Sequence, residues 1–364
     1  MSTKNKKKLS ANARWGIAFL VEILILVVMV VVYVAVYFNK KYDKVQYHEI
    51  NEEDLAINEG SNEAQKGYTT IALFGIDSRS NTDMEEGNRS DSIMIASINN
   101  DTKEVRIVSV YRDTLLEIED GSGLTTKVNA AYAYGGPELA IQTLNSNLDL
   151  QITDFMTVNF LALTKAIDDL GGINVDITDG ELAVINSGIS EQINITGIYS
   201  DGVFTTGPQL LNGTQATAYS RIRSTDQGDI TRTERQREVL SKMIAKAKTS
   251  DLSTINNIID DVFPNVCTSI SKDDMVNLAK SLMQYELGDT IGFPMAWSPV
   301  NHPTKGSILV PANLEANVSA LHEFLFDTPG YTPTSQVQRI SSVIENETGV
   351  GAQEITITPY VAEQ

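Results

Sequence analysis

The chain has 364 residues, a net charge of −19 at pH 7 and a hydrophobic content of 42%. A chain of this length can bury the core of one large or two small domains. Its strong negative charge repels phosphate backbones, which argues against a nucleic-acid partner. The single cysteine, Cys267, excludes an intrachain disulfide. Cys267 lies in the apolar segment FPNVCTSI, which predicts a buried strand rather than a catalytic thiol.

The first 38 residues are predicted to anchor the chain in a membrane. A basic tail of residues 1–14 precedes the apolar run Trp15–Phe38. A helix of this length spans roughly 36 Å, enough to cross a bilayer. Five positive charges precede the run and three follow it, which places the N-terminus in the cytoplasm and the remaining chain outside the cell. Because a cleavable signal peptide has a shorter apolar core and a small-residue cleavage site, we expect an uncleaved, single-pass signal anchor.

The residues that follow the anchor change from polar to strand-like. Residues 39–67 are polar and lack an apolar period, which predicts an extracellular stalk. The next apolar runs predict three buried strands, at Thr69–Ile76, Ser92–Ile98 and Val105–Val110. The turn-rich NNDTKE between the second and third predicts a hairpin.

Helices then alternate with further strands, which predicts an α/β domain. Gly135, Gly136 and Pro137 divide residues 125–148 into a short helix and a second helix that begins at Pro137. A strand at Asp154–Asn159, a helix at Phe160–Leu170 and a strand at Ile173–Ile177 are predicted next. Residues 179–201 have a weak helical signal and are predicted to form a loop.

The C-terminal third of the chain is predicted to complete the same domain. The expected elements are a helix at Leu211–Arg221, amphipathic helices at Lys272–Glu286 and Asn313–Phe326, and short strands near Thr290 and Ile308. The single α/β domain would then span residues 68–335, and residues 336–364 would form a C-terminal tail.

Tyr219–Arg237 holds half of the arginines that follow the apolar run: Arg221, Arg223, Arg232, Arg235 and Arg237. The first 38 residues contribute +4 to the total charge of −19, so these arginines lie in a region of net charge −23. Thr231 and Glu234 fit a capping box, which predicts a long helix with arginines in its first turn. That placement opposes the helix dipole unless an anion binds there. The alternative is that the arginines form surface salt bridges with acidic neighbours.

Arginine also lies beside aspartate at three predicted strand ends. The segments are Asp77–Arg79, Arg89–Asp91 and Arg112–Asp113. Ligands of α/β sheets bind at strand ends. Carboxylates there could hold Mg²⁺ while guanidinium groups neutralise phosphate. Any one pair alone could be a local salt bridge, but three of them together with the later arginines favour a phosphate and metal site.

Seven segments resemble, in order, the successive motifs of the LytR-CpsA-Psr family: FGIDSR, NRSDSIMIASIN, SVYRD, KVNAAYAYGGPELA, FLALTKAIDDLGGINVD, LNGTQATAYSRIR and GDITRTERQREV. The resemblance covers about residues 69–248. One departure is Tyr111, where the family usually has proline. The resemblance implies a central mixed β-sheet flanked by helices, with an apolar pocket for a prenyl tail between them.

The resemblance also implies a membrane-anchored phosphotransferase of the Gram-positive cell envelope. Such enzymes transfer teichoic acid or capsular polysaccharide from a polyprenyl-pyrophosphate carrier to peptidoglycan, at the C6 hydroxyl of N-acetylmuramic acid, with Mg²⁺. Two alternatives are a non-catalytic binder or envelope regulator that holds a lipid-linked polyanion, and a polyprenyl pyrophosphatase. The three histidines, His48, His302 and His322, lie outside the motif region, which argues against a Ser–His–Asp hydrolase.

By the same resemblance, motif positions assign roles to individual residues. The expected Mg²⁺ ligands are Asp77 and Asp91. The expected pyrophosphate ligands are Arg79, Arg89, Arg112, Arg221, Arg223, Arg232 and Gln236. The expected catalytic residues are Asp91, Arg112, Arg221, Arg223 and Asp229. Asp91 and Asp229 are both candidates for the general base.

Overall fold

The computed structural model describes residues 41–76, 84, 87–223, 225, 228–281, 284–355 and 357. The expected membrane anchor, Trp15–Phe38, lies outside these residues. Among the helices within the described ranges, none is long and apolar enough to cross a membrane. The chain from Val45 to Gln364 forms one compact unit.

The strands and helices alternate along most of the chain. The strands are β1 Gln46–Tyr47, β2 Tyr68–Ile76, β3 Ser90–Asn99, β4 Glu104–Val110, β5 Leu115–Glu117, β6 Thr125–Lys127, β7 Ile152–Asn159, β8 Ile173–Ile177, β9 Gly207–Leu211, β10 Val266–Thr268, β11 Glu286–Phe293, β12 Trp297–His302 and β13 Gly306–Pro311. The helices are α1 Asn129–Leu148, α2 Phe160–Asp169, α3 Asp179–Thr196, α4 Gly213–Ser220, α5 Asp229–Thr249, α6 Leu252–Val262, α7 Lys272–Ser281, α8 Leu314–Phe326 and α9 Ser335–Thr348.

A mixed sheet of seven strands forms the centre of the domain, in the spatial order β1, β10, β7, β2, β3, β4, β11. The pairs β1/β10, β7/β2 and β4/β11 are parallel, and the other neighbouring pairs are antiparallel. The strands β5/β6, β8/β9 and β12/β13 form separate two-stranded sheets. The predicted α/β class and the mixed central sheet are confirmed.

The connections bring several strand ends to one edge of the sheet. At the end of β2, Ile76 pairs with Ser90 at the start of β3 and with Asn159 at the end of β7. At the end of β4, Val110 pairs with Phe293 at the end of β11. Because β3 runs antiparallel to both β2 and β4, its first residues lie at the edge where those strands end. The start of β3 and the residues that follow β4 therefore lie at the same edge.

Alternate residues of the central sheet belong to different apolar clusters: Ile71 packs with Ile98 and Ile270 in a small cluster, and Ala72 lies in the main core. Ala72, Phe74 and Ile76 of β2 belong to a large core that also contains residues of α1, α8 and α9. A second core lies among α2, α3, α4, α5 and the β8/β9 hairpin. Cys267 is fully buried in β10, so its prediction as a core strand residue is confirmed.

Local sequence signals explain several helix boundaries. Gly135 and Gly136 have non-helical backbone angles and kink α1 just before Pro137, as predicted. The carbonyl oxygen of the Asn159 side chain accepts from the backbone N–H of Ala162 and caps α2. Asn212 caps α4 in a capping box with Gln215, so this helix begins two residues later than predicted.

The structure corrects the prediction that residues 179–201 form a loop. Residues 179–196 form helix α3, which begins with a capping box between Thr178 and Glu181. The helix ends at Gly197, whose φ of 72° suits glycine. Ile185 and Ile189 are buried in the second core, and this burial compensates for the weak helix formers on the other faces.

Helix α5 begins at Asp229 and not at Thr231, so the predicted capping box is wrong. The N-cap is Gly228, which has a φ of 63° and makes no side-chain capping bond. The Thr233 hydroxyl instead donates to the backbone carbonyl of Asp229. The earlier start places the Asp229 carboxylate in the first turn, where the helix dipole favours negative charge.

The segments assigned to a stalk and a tail contribute to the domain. In the stalk region, Leu55 is fully buried in the main core, and β1 pairs with β10. In the tail region, Val337, Ile340 and Ile344 of α9 are buried in the same core. Both segments are short of apolar residues overall, but the few that they contain are spaced to reach one buried face.

Candidate active site

Two carboxylates and two guanidinium groups form an ion-pair network where β3 and α5 begin. Arg112 donates from Nη1 to Asp91 Oδ1 over 2.6 Å and from Nε to Asp229 Oδ2 over 2.8 Å. Arg223 Nη2 lies 3.2 Å from Asp91 Oδ2, and its Nε lies 3.4 Å from Asp229 Oδ1. Each carboxylate therefore bridges the same two arginines, which fixes the direction of both guanidinium planes.

The charges in this network stabilise one another. Burial disfavours the charged form of Arg112, but the carboxylates of Asp91 and Asp229 outweigh burial and raise its pKa above the ordinary value. Burial also opposes ionisation of Asp229, yet Arg232 and Arg112 hold its pKa below the ordinary value. Arg112 and Asp229 therefore stabilise each other's charged forms.

Arg232 lies beneath this network and is almost completely buried. Only 2% of its side chain is exposed, and Nη1 lies 3.3 Å from Asp229 Oδ1. Its Nη2 donates to the backbone carbonyl of Asp91 over 3.0 Å. Within the described part of the chain, Nε and Nη1 have no hydrogen-bond partner. Burial lowers the pKa of this guanidinium to about 10. A buried cation with unused donors is costly unless an anion binds.

Arg221 approaches the same space from the side of helix α3. Its Nη2 lies 3.1 Å from Glu191 Oε1, and its Nη1 donates to Gln192 Oε1 over 3.1 Å. The guanidinium carbon lies 4.3 Å from the centre of the Phe160 ring, a cation–π contact. Arg221 therefore has its own supports, separate from those of Arg112 and Arg223.

These groups line a charged cavity of about 400 Å³. Asp91, Arg112, Arg221, Arg223, Arg232 and Gln236 line it on the side of the sheet edge and helix α5. Val184, Ser187, Gly188 and Glu191 of helix α3 line it on another side. The arrangement suits a compact, highly charged anion such as pyrophosphate.

An apolar cavity of about 260 Å³ adjoins the charged one. It lies between the sheet and helices α2 and α5, and its lining includes Leu73, Met94, Met156, Leu163, Leu240 and Met243. Asp91, Phe160 and Gln236 line both cavities. A ligand with a charged head and a long apolar tail could therefore occupy both at once.

The sequence-predicted site residues separate into three groups. Asp91, Arg112, Arg221, Arg223, Asp229, Arg232 and Gln236 are brought together at the charged cavity. Arg89 is exposed just before β3 and is not among the residues that line either cavity. Asp77 and Arg79 lie outside the described residues.

Arg235 has a structural role in an ion pair that is buried and not on the surface, where the salt-bridge alternative placed such pairs. Its Nε donates to Glu181 Oε1 over 2.7 Å, and its Nη1 donates to the backbone carbonyl of Ile222 over 3.2 Å. Both charged side chains are buried. Arg237 is also buried, with 4% exposure, and it does not line either cavity.

Sequence reasoning missed the helix α3 side of the charged cavity and Phe160. Val184, Ser187, Gly188 and Glu191 were assigned to a loop, although Thr178 and Glu181 carry a capping-box signal that could have predicted the helix. Phe160 was assigned correctly to a helix start, but its contact with Arg221 joins positions 61 residues apart. No local pattern reveals such a contact.

The described residues supply only part of a cation site. No group of three His, Cys, Asp or Glu side chains within the described ranges could hold a metal. Both oxygens of Asp91 contact guanidinium groups. A hard divalent cation requires several oxygen ligands, so Asp91 fits as one ligand only if the bound anion supplies others.

The protein has a polar, arginine-lined cavity beside an apolar one, at the edge of a mixed sheet. Proteins with such a pair of cavities can bind an anionic lipid. The LytR_cpsA_psr family profile matches residues 32–292. The chain therefore belongs to the LytR_cpsA_psr family, and the family resemblance of its motifs is confirmed.

One curated relative and two solved structures show which known proteins this chain is similar to. The polyisoprenyl-teichoic acid–peptidoglycan teichoic acid transferase TagU of Enterococcus faecalis is 34% identical over 212 residues, which cover 58% of this chain and 64% of that protein. The chain thus spans less than two thirds of the length of this relative. A crystal structure from E. faecalis, described as a transcriptional regulator, is 26% identical, with a TM-score of 0.58 over 80% of this chain and 99% of the other.

The second structure is TagT, a LytR-CPS2A-psr family protein of Bacillus subtilis, with bound octaprenyl pyrophosphate. It is 20% identical, with a TM-score of 0.52, and covers 84% of this chain and 100% of the other. At this level of identity the similarity establishes a shared fold.

Proposed function

We propose that this protein transfers a phosphate-linked glycopolymer, of the teichoic acid or capsular polysaccharide type, from a polyprenyl-pyrophosphate carrier to peptidoglycan. The observation that carries the proposal is the junction of the two cavities at Asp91, Phe160 and Gln236. The name of the TagU relative and the octaprenyl pyrophosphate bound to TagT support the same donor class.

The two cavities suggest how the donor would bind. Its prenyl tail would enter the apolar cavity, where each buried methylene contributes about 0.8 kcal/mol. Its pyrophosphate would contact Arg112, Arg221, Arg223 and Arg232. The two buried donors of Arg232 that have no hydrogen-bond partner among the described residues support this placement. Asp91 and Asp229 would keep two of these guanidinium groups in position before the donor arrives. Such preorganisation avoids reorganisation during the reaction.

The proposed reaction is a phosphoryl transfer. An acceptor hydroxyl of peptidoglycan, which we propose to be the C6 hydroxyl of N-acetylmuramic acid, attacks the glycan-side phosphorus. A new phosphodiester bond forms, the bond from that phosphorus to the bridging oxygen breaks, and polyprenyl phosphate leaves. The guanidinium groups stabilise charge on the non-bridging oxygens and on the leaving group. The hydroxyl proton passes to a base.

Mg²⁺ is part of the proposal. Asp91, together with Asp77, would hold the ion, which would neutralise phosphate charge when bound. We also propose that Trp15–Phe38 anchors the protein in the cell membrane of a Gram-positive bacterium, with the cavities outside the cell. A donor embedded in the same membrane would then be close to the apolar cavity.

The experiment that tests the proposal uses the purified full-length chain in detergent. It receives a synthetic polyprenyl-pyrophosphate-linked disaccharide, Mg²⁺ and peptidoglycan oligomers, and mass spectrometry follows the products. A disaccharide joined to the oligomer through a phosphodiester supports the transferase. Binding of the donor without turnover would support a non-catalytic binder or regulator. Release of the disaccharide phosphate to water with or without acceptor would support a pyrophosphatase.

A further inference from the structure

We propose that Glu191 is the general base that takes the proton from the acceptor hydroxyl. This inference rests on the proposed transfer reaction and adds a residue that none of the sequence motifs assigns to the site. It follows from which side of the charged cavity the acceptor must use, and from which carboxylate is available on that side.

The apolar cavity fixes the direction of attack. The leaving polyprenyl phosphate would lie toward Asp91, Phe160 and Gln236, the residues common to both cavities. A phosphoryl transfer requires the attacking and leaving oxygens to be roughly in line with phosphorus. The acceptor hydroxyl must therefore approach from the part of the charged cavity that is remote from the apolar one.

Helix α3 lines a part of the charged cavity that is not shared with the apolar one. Val184, Ser187, Gly188 and Glu191 line the charged cavity but not the apolar one. Their spacing of three, four and seven residues places them on one face of the helix. Gly188 packs closely against helix α4, since a Cβ atom there would lie 3.5 Å from the Cβ of Ala218. This contact between the two helices places Glu191, one turn further along, at the charged cavity.

Glu191 is available as a base, whereas the two aspartates are not. Asp91 and Asp229 each contact at least two guanidinium groups. Both oxygens of each aspartate contact guanidinium groups, so a proton taken up there would displace an ion-pair contact. The side chain of Glu191 is 63% exposed, and its contact with Arg221 uses one oxygen, Oε1.

With Glu191 as the base, every bond, proton and electron pair of the proposed step is accounted for. The acceptor oxygen forms its bond to the glycan-side phosphorus, and its proton moves to Glu191. The bond to the bridging oxygen breaks, and polyprenyl phosphate leaves with that electron pair. Glu191 then releases the proton to solvent through its exposed side. Arg221, 3.1 Å from Glu191, can contact the phosphate on which the attack takes place.

The test compares the wild-type full chain with Glu191→Gln, which keeps an oxygen that can accept from Arg221 but cannot take up a proton. Transfer to peptidoglycan oligomers is measured as kcat and KM across a range of pH, and donor binding is measured separately. Asp176→Asn is the matched control, because it removes one exposed carboxylate from strand β8, away from both cavities.

We expect Glu191→Gln to lower kcat by about 100-fold or more, in the range of general-base catalysis. Its donor Kd should stay within about threefold, and the acidic limb of its pH–rate profile should disappear. The kcat of the control Asp176→Asn should stay within about twofold of the wild-type value. A kcat within about fivefold of wild type, an unchanged acidic limb, or a loss confined to donor binding would overturn the proposal for Glu191. Failure of the wild-type chain to transfer would instead overturn the proposed function, and the inference with it.

Discussion

The buried ion pair between Arg235 and Glu181 is expected to hold the segment that carries Arg221 and Arg223 against helix α3. Besides its 2.7 Å contact with Glu181, Arg235 donates to the backbone carbonyl of Ile222 and to Thr225 Oγ1. Ile222 lies between Arg221 and Arg223 in the sequence. The substitution Arg235→Met keeps an apolar stem of similar length and removes all three hydrogen bonds.

The structure sets the magnitude of this effect. The side chains of Arg235 and Glu181 are only 5% and 7% exposed. Removal of one partner from a buried pair leaves an unpaired buried charge and costs roughly 3–5 kcal/mol. The Thr178 backbone N–H still donates to Glu181, which favours the lower end of that range. At an m-value of roughly 3 kcal/mol/M, the urea midpoint should fall by about 1 M.

Urea unfolding at pH 7, followed by circular dichroism, measures this change. A double-mutant cycle with Glu181→Gln separates the ion pair from lost packing. Because Gln carries no charge, Glu181→Gln should cost less in the Arg235→Met background than in wild type, by at least about 1 kcal/mol. A midpoint shift below about 0.3 M for Arg235→Met, or equal costs of Glu181→Gln in both backgrounds, would refute the reasoning.

Three further predictions concern the charged cavity, the apolar cavity and the main core. Arg112→Ala and Arg221→Ala should each reduce transfer by at least about 100-fold while the protein remains folded. Lys66→Ala, which removes an exposed cation away from both cavities, is the control. Near wild-type transfer by both arginine variants would contradict the roles assigned here. Met243→Trp should fill part of the apolar cavity and weaken binding of a long prenyl pyrophosphate by about 10-fold. Calorimetry should show a smaller loss of affinity for a short-chain analogue. An equal loss for both chain lengths would show that the tail does not bind there. Burial lowers the pKa of His322 to about 4. Between pH 6.5 and 4 the unfolded chain therefore takes up a proton that the folded chain does not. The free energy of unfolding falls as the pH falls over this window, by about 3 kcal/mol from this residue. His322→Gln should therefore flatten the dependence of the unfolding free energy on pH over this window, and parallel curves for variant and wild type would exclude the effect.

The sheet-edge half of the site could be predicted from the sequence. Asp91 and Arg112 lie next to strands with clear apolar runs, and the strand ends of an α/β sheet converge at one edge. Asp229 was indicated only by its family motif, because the predicted helix start at Thr231 lies two residues after the observed one. The family motifs indicated that these positions belong to one site. In the structure, Arg112 donates to both Asp91 and Asp229.

The α3 half of the site could not be predicted in the same way. Residues 179–196 contain asparagine, serine and glycine, which have weak helical preference, and this helix depends on the burial of Ile185 and Ile189. The lining of the apolar cavity was equally hidden, because Leu240 and Met243 have the same apolar character as core residues. Arg232 and Arg235 both lie near the start of α5, yet one faces the cavity and the other pairs with Glu181. That difference depends on long-range contacts that no local pattern contains.

The overall charge of the protein gives the cavity a selective role. The sequence from residue 39 onward has a net charge of −23, so most of the surface repels an anionic glycopolymer. Arg112, Arg221, Arg223 and Arg232 reverse this repulsion at one place, and the carboxylates of Asp91 and Asp229 hold part of the cluster in position without neutralising it. Under the proposed function, a polyanionic donor would therefore be held by its pyrophosphate, and the rest of the polymer would be kept away from the surface. Such an arrangement favours binding at the reactive end of a long anionic donor over binding along its length.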